Sequence, residues 1–244
     1  MRAKISSDPI HKRLLLKLSG EALGGDAGFG IDPSVLHFLA NEITALNNCD
    51  IEVAVVLGGG NIFRGEALSK DGMDRVTGDR MGMLATVING LALTDALNRS
   101  GLRAQVFSAA GVDGAVTRYN RDDADALMKA GGIAVLAGGT GNPFFTTDTA
   151  ACLRGAELNV DAVLKATNVD GVYDSDPKTN PNAVRFDRVS YDEVLARELR
   201  VMDLTAIVLA KEHSLPVVVF DMSQAGAMLD IAMGQPVGTS VGTS

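Results

Sequence analysis

The sequence predicts an α/β fold, a three-layer sandwich with a mainly parallel central sheet. Two observations lead to this prediction. Short, continuous apolar runs recur along the chain, and such runs are typical of strands buried on both faces of a parallel sheet. Longer segments with helical spacing lie between them, and this alternation favours helices on both sides of the sheet. No linker or fixed-period repeat appears, so we expect a single domain over residues 1–244, with residues 1–11 as a flexible N-terminal segment.

Six apolar runs are predicted to be strands. Each is short and mostly continuous rather than alternating, as expected for a strand that is covered on both faces. The predicted strands are Arg13–Leu18, Glu52–Leu57, Ala104–Ser108, Ile133–Ala137, Ala162–Lys165 and Val217–Phe220.

The clearest helix signal follows Asp32, a residue type suited to the N-cap, and Pro33, which is favoured at the first helical position. Apolar side chains then recur at helical spacing as far as Asn47. Ser190 and Glu193 form a capping box, which marks the start of another helix. The predicted helices are Ser34–Asn47, Met81–Leu97, Thr146–Leu158, one that begins at Tyr191, and Asp203–His213.

The segment Met81–Leu97 is apolar or small around its whole circumference. A helix of this kind is buried on more than one side. Two interpretations are open: a central helix of one monomer, or a helix that packs against a second subunit.

Composition excludes several classes of protein. The chain has 22 Lys and Arg against 30 Asp and Glu, and this net charge of −8 argues against a general surface for nucleic acid or anionic membranes. A hydrophobic content of 46% excludes a disordered chain. No apolar run approaches the ~18 residues of a membrane span, and the apolar stretch near the N-terminus is too short for a signal peptide. We therefore expect a soluble, cytoplasmic protein, in which Cys49 and Cys152 are buried thiols.

Glycine is over-represented, with 27 of 244 residues, against an average of ~7%. Three clusters directly follow predicted strands: Gly20 after Lys17, Gly58–Gly60 before Arg64, and Gly138–Gly141. Open α/β sheets bind ligands at the carboxyl ends of their strands, where glycine N–H groups can hold phosphate oxygens. One glycine turn has a simple steric explanation, but three at one sheet edge, two of them beside a cation, predict a phosphate site.

The familiar nucleotide-binding signatures do not occur in the sequence. There is no P-loop, no dinucleotide fingerprint and no protein kinase motif. The three histidines (His11, His37 and His213) are scattered, so neither a metal cluster nor a Ser-His-Asp triad can be assembled. Backbone glycines, Lys17, Arg64 and carboxylates remain. Such a site suits phosphoryl transfer, which depends on positioning and charge neutralisation and needs no covalent nucleophile.

A family pattern is carried by five segments: Lys17–Glu21, Gly58–Arg64, Gly78–Met83, Gly139–Asp148 and Lys165–Tyr173. Together they resemble the bacterial UMP kinases of the amino acid kinase superfamily, over nearly the whole chain. The resemblance implies the amino acid kinase fold and transfer of the γ-phosphoryl group of Mg-ATP to UMP, which gives UDP and ADP on the pyrimidine route to CTP. It also implies activation by GTP, inhibition by UTP and a homohexamer, with Mg²⁺ arriving with ATP rather than at a dedicated protein site.

The resemblance also implies roles for individual residues. The catalytic residues would be Lys17, Arg64, Asp148 and Lys165. ATP would be bound by Lys17, Leu18, Ser19, Gly20, Gly60, Arg64, Thr167, Tyr173 and Asp176. UMP would be bound by Gly59, Asp79, Thr140, Gly141, Asn142, Pro143, Phe144, Phe145, Thr146 and Thr147. GTP would be bound by Gly25, Asp26, Ala27, Gly28, Phe29 and Gly30.

Several residues keep a second interpretation. Asp79 would cap the helix that contains Met81, hold the ribose of UMP, or do both. Asp148 would cap a helix or orient Lys17. Phe144 and Phe145 would belong to the core or to the UMP pocket, and Lys165 would be a second catalytic cation or a structural residue.

Two features depart from the family pattern, and they weaken a charge-based role in ATP binding at one position and leave contacts in one segment unassigned. Asn168 stands where several relatives carry lysine, and Gly111–Lys129 matches little of the family pattern. The runner-up activity is a relative that phosphorylates a carboxylate, such as an acylglutamate or carbamate kinase. A non-catalytic nucleotide sensor is the alternative from another class.

Overall fold

A computed structural model describes residues 8–63, 72–177, 179–199 and 201–243. Within these residues, nine strands form one sheet in the order β4-β3-β5-β2-β1-β6-β8-β9-β7. Neighbouring strands are parallel except for β8 and β9. The predicted α/β class is confirmed. The strands are β1 Arg13–Leu18, β2 Glu52–Leu57, β3 Ala104–Ser108, β4 Thr117–Arg118, β5 Ile133–Ala137, β6 Ala162–Thr167, β7 Arg188–Ser190, β8 Val217–Asp221 and β9 Thr239–Gly242.

Eight α-helices cover the two faces of the sheet within the described residues. They are α1 Gly20–Leu23, α2 Pro33–Asn47, α3 Arg75–Arg99, α4 Arg121–Lys129, α5 Thr147–Glu157, α6 Tyr191–Ala196, α7 Leu204–Glu212 and α8 Ala227–Ala232. One core lies between the sheet and helices α2, α3 and α8. A second core lies between the opposite face and helices α4 to α7. The sandwich therefore has the three layers that the sequence predicts.

The strand and helix signals in the sequence are confirmed at most positions. All six predicted strands are present, and β6 and β8 extend slightly beyond their apolar runs. Asp32 accepts a hydrogen bond from the Ser34 N–H at the start of α2. Ser190 likewise caps α6 by accepting from the N–H of Glu193.

Helix α3 begins earlier than predicted, and its exposure argues against the interpretation of a helix buried within one monomer. It begins at Arg75 rather than Met81, with Asp74 as its N-cap. One face is also exposed: Met81, Leu84, Ile88 and Leu91 are 38–56% exposed, so the helix is not buried all round within this chain. Its first turns are polar, which is why the apolar pattern alone missed its start.

Elements with a weak apolar pattern were not predicted. Strands β4, β7 and β9 have two to four residues, and α4 buries only one face of a highly charged segment. Cys152 is buried as expected, whereas Cys49 is only partly buried. None of the helices in the described ranges is long and apolar enough to cross a membrane.

The alternating direction of side chains along β1 determines which face of the sheet Lys17 lies on. Leu14, Leu16 and Leu18 point into the core under α2 and α3, whereas Leu15 points into the core under α5. Lys17 is therefore directed toward α5 as well, because side chains two residues apart share a face of the sheet. The lysine reaches this position at the carboxyl end of a central strand.

Candidate active site

Lys17 and Lys165 lie side by side on adjacent strands. Strands β1 and β6 are paired in parallel with Lys17 directly opposite Lys165. Only 10% and 15% of the two side chains is exposed. Two ammonium groups at such close range repel each other, and limited access of water strengthens this repulsion. The pair therefore needs a neighbouring negative charge.

Asp148 supplies that charge. Its Oδ1 lies 2.7 Å from the Lys17 Nζ, and its Oδ2 lies 2.7 Å from the Lys165 Nζ. Burial alone would raise the pKa of the Asp148 carboxyl, but the two ammonium groups outweigh it and hold the pKa below its ordinary value of 3.8. The cluster of Lys17, Asp148 and Lys165 thus carries a net charge of +1 and attracts anions.

The start of α5 fixes the position of Asp148. Thr146 is the N-cap, and its Oγ1 accepts hydrogen bonds from the N–H groups of Asp148 and Thr149. The capping interpretation of Asp148 is therefore wrong: Thr146 caps the helix, and the Asp148 side chain turns toward the lysines. The positive end of the α5 dipole also faces this edge of the sheet, which favours a bound anion.

Lys165 has a second acceptor that the sequence does not reveal. Its Nζ donates to the backbone carbonyl of Val201 as well as to Asp148. Burial lowers the pKa of Lys165 more strongly than Asp148 raises it, so this lysine loses its proton more easily than an exposed one. No side-chain pattern could indicate the role of Val201, because the acceptor is a carbonyl group present at every position.

A cavity of about 420 Å³ reaches the start of α5, where it is lined by Thr146 and Thr147, the residues before Asp148. It brings together seven of the ten residues predicted to bind UMP, from the turn after β2, helix α3 and the loop before α5, and also Gly60, which was predicted to bind ATP. These are Gly59, Gly60, Asp79, Thr140, Asn142, Phe145, Thr146 and Thr147. The wall also contains residues that sequence reasoning did not select: Phe63, Gly78, Gly82, Met83, Thr86 and Gly139. Of the predicted UMP residues, Gly141, Pro143 and Phe144 belong to the same loop but do not line the cavity.

Asp79 lies in the second turn of α3, so the interpretation of this residue as a helix cap is wrong. Its carboxylate accepts from the Nε of Arg75 at 2.8 and 3.0 Å, and from the N–H of Phe144 at 2.7 Å.

Phe144 has a φ of 72°, a conformation that is uncommon for a bulky residue. The core interpretation of the two phenylalanines is also wrong, since Phe144 and Phe145 are 66% and 49% exposed.

A second cavity, of about 650 Å³, is lined by Lys165. Its lining includes the predicted ATP residues Thr167, Tyr173 and Asp176, and also Asn168. Lys165 therefore lines the cavity that contains predicted ATP residues, whereas the cavity with the predicted UMP residues is lined by Thr146 and Thr147, which directly precede Asp148.

The glycines after β1 and β2 pack closely against one another. A Cβ on Gly20 would lie 2.5 Å from the Gly60 nitrogen, and one on Gly59 would lie 2.8 Å from the Gly82 carbonyl oxygen. Real Cβ atoms do not approach so closely, so packing of the backbone alone requires glycine at both positions. The Leu18 side chain is buried in the core, which leaves only its backbone to face a ligand.

The predicted GTP loop is described by the structure, whereas the predicted cation Arg64 is not. The Gly25–Gly30 loop contains a short 3₁₀ helix and joins the turn after β2, because the side-chain amide of Asn61 donates to the Gly30 carbonyl at 2.6 Å. Arg64 lies outside the described residues. A further cavity lined by Gly111–Arg118 contains no predicted site residue.

The chain is similar to known proteins of one family. The model of the amino acid kinase family matches residues 12–221. The uridylate kinase of Pseudoalteromonas atlantica is 55% identical, over 97% of both chains. That of Marinobacter nauticus is also 55% identical, over 99% of this chain and 100% of the relative. The crystal structure of the UMP kinase from Bacillus anthracis superposes with a TM-score of 0.92 at 38% identity, and covers 95% of this chain and 96% of its own.

The chain belongs to the uridylate kinases of the amino acid kinase family. It is therefore an enzyme, and a kinase. The family resemblance inferred from the five sequence segments is confirmed. Membership in this family also favours a uridylate kinase over the alternatives left open by the sequence, an acylglutamate kinase, a carbamate kinase or a nucleotide sensor.

Proposed function

We propose that this uridylate kinase family member transfers the γ-phosphoryl group of Mg-ATP to UMP, giving UDP and ADP in pyrimidine nucleotide synthesis, on the route to CTP. One observation supports this most strongly. A buried cluster of two lysines and one aspartate lies at the carboxyl edge of the sheet, with Lys165 in the wall of one cavity and the residues before Asp148 in the wall of another. Two anionic substrates that meet at this cluster would have the transferred group beside Lys17 and Lys165.

The chemistry needs no covalent intermediate. A phosphate oxygen of UMP attacks the γ-phosphorus of ATP, the bond to the bridging oxygen breaks, and ADP leaves with the electron pair. A phosphate monoester with a second pKa near 6 is already largely a dianion at neutral pH, so no general base is required. What remains is to hold the reactants in line and to neutralise charge.

The proposed roles follow from this requirement. Lys17 and Lys165 neutralise charge on the transferred phosphoryl group, and Asp148 holds both ammonium groups in place. Fixed charges in a site of low water content stabilise the transition state because they need no reorganisation during the reaction. Arg64, predicted as a second cation beside the phosphates, completes the proposed set.

We assign UMP to the cavity that contains Asp79 and the loop Thr140–Thr147. Asp79 is a carboxylate acceptor for the ribose hydroxyl groups, and the loop offers amide, hydroxyl and aromatic groups to a flat polar base. Gly59 would approach the phosphate of UMP, while Gly141, Pro143 and Phe144 would shape the loop. ATP takes the second cavity, with Thr167, Tyr173 and Asp176 at the nucleoside and Ser19, Gly20 and Gly60 near its phosphates.

The metal is proposed to arrive as part of the nucleotide substrate. A divalent ion would be bound by the phosphates of ATP itself, since such ions are held largely by phosphates and water with few protein ligands.

Regulation and assembly form the last part of the proposal. We infer that GTP activates through Gly25–Gly30, that UTP inhibits, and that copies of a single-domain chain form a homohexamer in the cytoplasm. The loop–Asn61 hydrogen bond supports the first inference, because it joins the proposed GTP segment to the turn that carries Gly59 and Gly60. The exposed apolar stripe on α3 supports the assembly.

A substrate comparison tests the activity. Purified protein should convert UMP to UDP with Mg-ATP, and should do so at least tenfold more efficiently than it phosphorylates CMP or TMP. N-acetylglutamate and carbamate should give no ATP-dependent product. Each assay is run with and without GTP, and with UTP, so that the same series measures activation and inhibition. Turnover of N-acetylglutamate or carbamate in place of UMP would overturn the proposal.

Lys17→Ala tests the mechanism. We expect kcat to fall by about 10²–10³, the effect of removing one fixed group that stabilises charge in the transition state. Lys129→Ala is the matched control, since this lysine also pairs with an aspartate but is 62% exposed on α4, outside both cavities. Undiminished UMP-dependent ATP consumption in Lys17→Ala would show that the mechanism is wrong.

A further inference from the structure

Asp203 connects two helices beside the active site. It is the N-cap of α7, where its Oδ1 accepts from the Ala206 N–H at 3.0 Å. The same carboxylate accepts from the Thr149 hydroxyl at 2.9 and 3.1 Å, and from the Thr146 hydroxyl. One side chain thus joins the first turns of α5 and α7.

The two threonines belong to the turn that carries Asp148. The Thr146 Oγ1 accepts from the N–H groups of Asp148 and Thr149, so its single hydroxyl proton is free to bond Asp203. Thr149 is buried, and its hydroxyl donates to the same carboxylate. Asp203 therefore holds this turn by two hydroxyl groups.

The segment that ends at Asp203 also holds Lys165. The carbonyl of Val201, two residues before Asp203, accepts from the Lys165 Nζ. Lys165 is thus bonded directly to residues 201–203, and its partner Asp148 is linked to them through Thr146 and Thr149. A shift of this short segment would move both charged groups of the pair.

We propose that Asp203 is a positioning residue for phosphoryl transfer, which fixes the first turn of α5 and thereby the Asp148 carboxylate relative to Lys17 and Lys165. Asp203 does not line either cavity, so it acts through Thr146 and Thr149 and not on a substrate. The expected effect of Asp203 on the reaction rate rests on the proposed function. Its effect on the position of the first turn of α5 can be measured without any assay of activity.

Asp203→Ala is the primary test. Misplacing a reacting group by about 1 Å costs about 10² in rate, so we expect kcat to fall by about 10–100-fold while the KM for ATP changes by less than about threefold. Asp203→Asn keeps a capping oxygen and should restore part of the lost kcat. Asn120→Ala is the control: Asn120 caps α4 with two hydrogen bonds, so its loss should lower the melting temperature comparably but leave kcat unchanged.

Thr149→Val gives a second, nearly isosteric route to the same contact. Its kcat should fall by a few-fold, and in the double variant with Asp203→Ala it should cause no further fall, because Thr149 acts through Asp203. Multiplicative effects of the two substitutions would contradict the proposal. This variant also keeps the test valid if Asp203→Ala does not fold.

Amide hydrogen exchange separates this inference from the proposed activity. In Asp203→Ala and Thr149→Val, amides at the start of α5 should exchange faster than in the original protein, while those of α2 should not change. An original protein without UMP kinase activity but with this exchange pattern would overturn the proposed function alone. Full activity with unchanged exchange in both variants would overturn the positioning role alone.

Discussion

At the scale of single residues, the site brings two lysine ammonium groups together and offsets their repulsion with one carboxylate. Strand pairing places Lys17 opposite Lys165, and without Asp148 their charges would be buried and unpaired. A buried pair that loses one partner is destabilised because the remaining charge has left water without compensation. The charges needed for phosphoryl transfer and the stability of the sheet edge therefore depend on the same carboxylate.

Asp148→Asn should lower the free energy of unfolding by about 3 kcal/mol at neutral pH. The folded pKa of Asp148 is below 3.8, so its contribution is fully present above pH 3.8 and is lost as the pH falls through the folded value. The difference between the two proteins should thus be constant from pH 7 to about 5 and shrink only below pH 3.8. Urea unfolding at fixed protein concentration measures it.

The control for this prediction is Asp95→Asn. Asp95 pairs with Arg99 on the surface of α3, and both side chains are more than half exposed. Such pairs contribute about 0–1 kcal/mol, so the control should be nearly neutral. An Asp148→Asn protein as stable as this control would mean that the lysines do not depend on the carboxylate.

The charged residues of the site were predictable from the sequence, but some of the groups that they contact were not. Lys17, Asp148 and Lys165 stand in family segments at strand and helix ends, and the structure brings them together. Asp203 was expected only as the start of a helix, because nothing in the chain indicates that the turn of residues 146–149 lies next to it. Val201 contributes a carbonyl group and gives no signal at all.

At the scale of elements, a buried amide pair joins the loops of the site to α3. Asn61 and Asn89 are fully buried and bond reciprocally, at 3.0 and 2.7 Å. Asn61 also donates to the Gly30 carbonyl, and Asn89 to that of Gly58 at 2.8 Å. Every amide proton of the pair has an acceptor, and such complete satisfaction is what makes a buried polar network favourable.

Asn89→Ala should therefore lower the free energy of unfolding by about 2–3 kcal/mol, because the Asn61 amide and the Gly58 carbonyl lose partners in the core. Thermal and urea unfolding measure the loss. Asn98→Ala is the control on the same helix: Asn98 also bonds backbone groups, but it is exposed, so water can replace the lost bonds. Equal losses in the two variants would contradict the role of burial.

Element boundaries were predictable where apolar residues determine them. The strands of the central sheet are continuous apolar runs, and their bounds agree with the prediction within two residues. Helix α3 starts six residues early because Asp74 caps a polar turn before the apolar segment begins. Capping residues identified the starts of α2 and α6, which shows that local hydrogen-bonding chemistry adds what apolar periodicity lacks.

At the scale of the whole molecule, α3 presents an apolar face that this chain does not cover. Met81, Leu84, Ile88 and Leu91 follow one another at intervals of three or four residues and so form one stripe. The opposite side of the helix packs into the core through Leu93 and Leu97. The periodicity left two interpretations open, and the exposure of the stripe favours contact with a second subunit.

A charge in this stripe should therefore disrupt the assembly. In a symmetric contact between two copies the same stripe lies on both sides, so Ile88→Glu would introduce two carboxylates into one apolar interface. We expect a mass of several subunits for the original protein by analytical ultracentrifugation, and a smaller species for Ile88→Glu. Val184→Glu, at an exposed apolar residue outside the stripe, should leave the mass unchanged. An Ile88→Glu protein of unchanged mass would mean that another surface holds the subunits together.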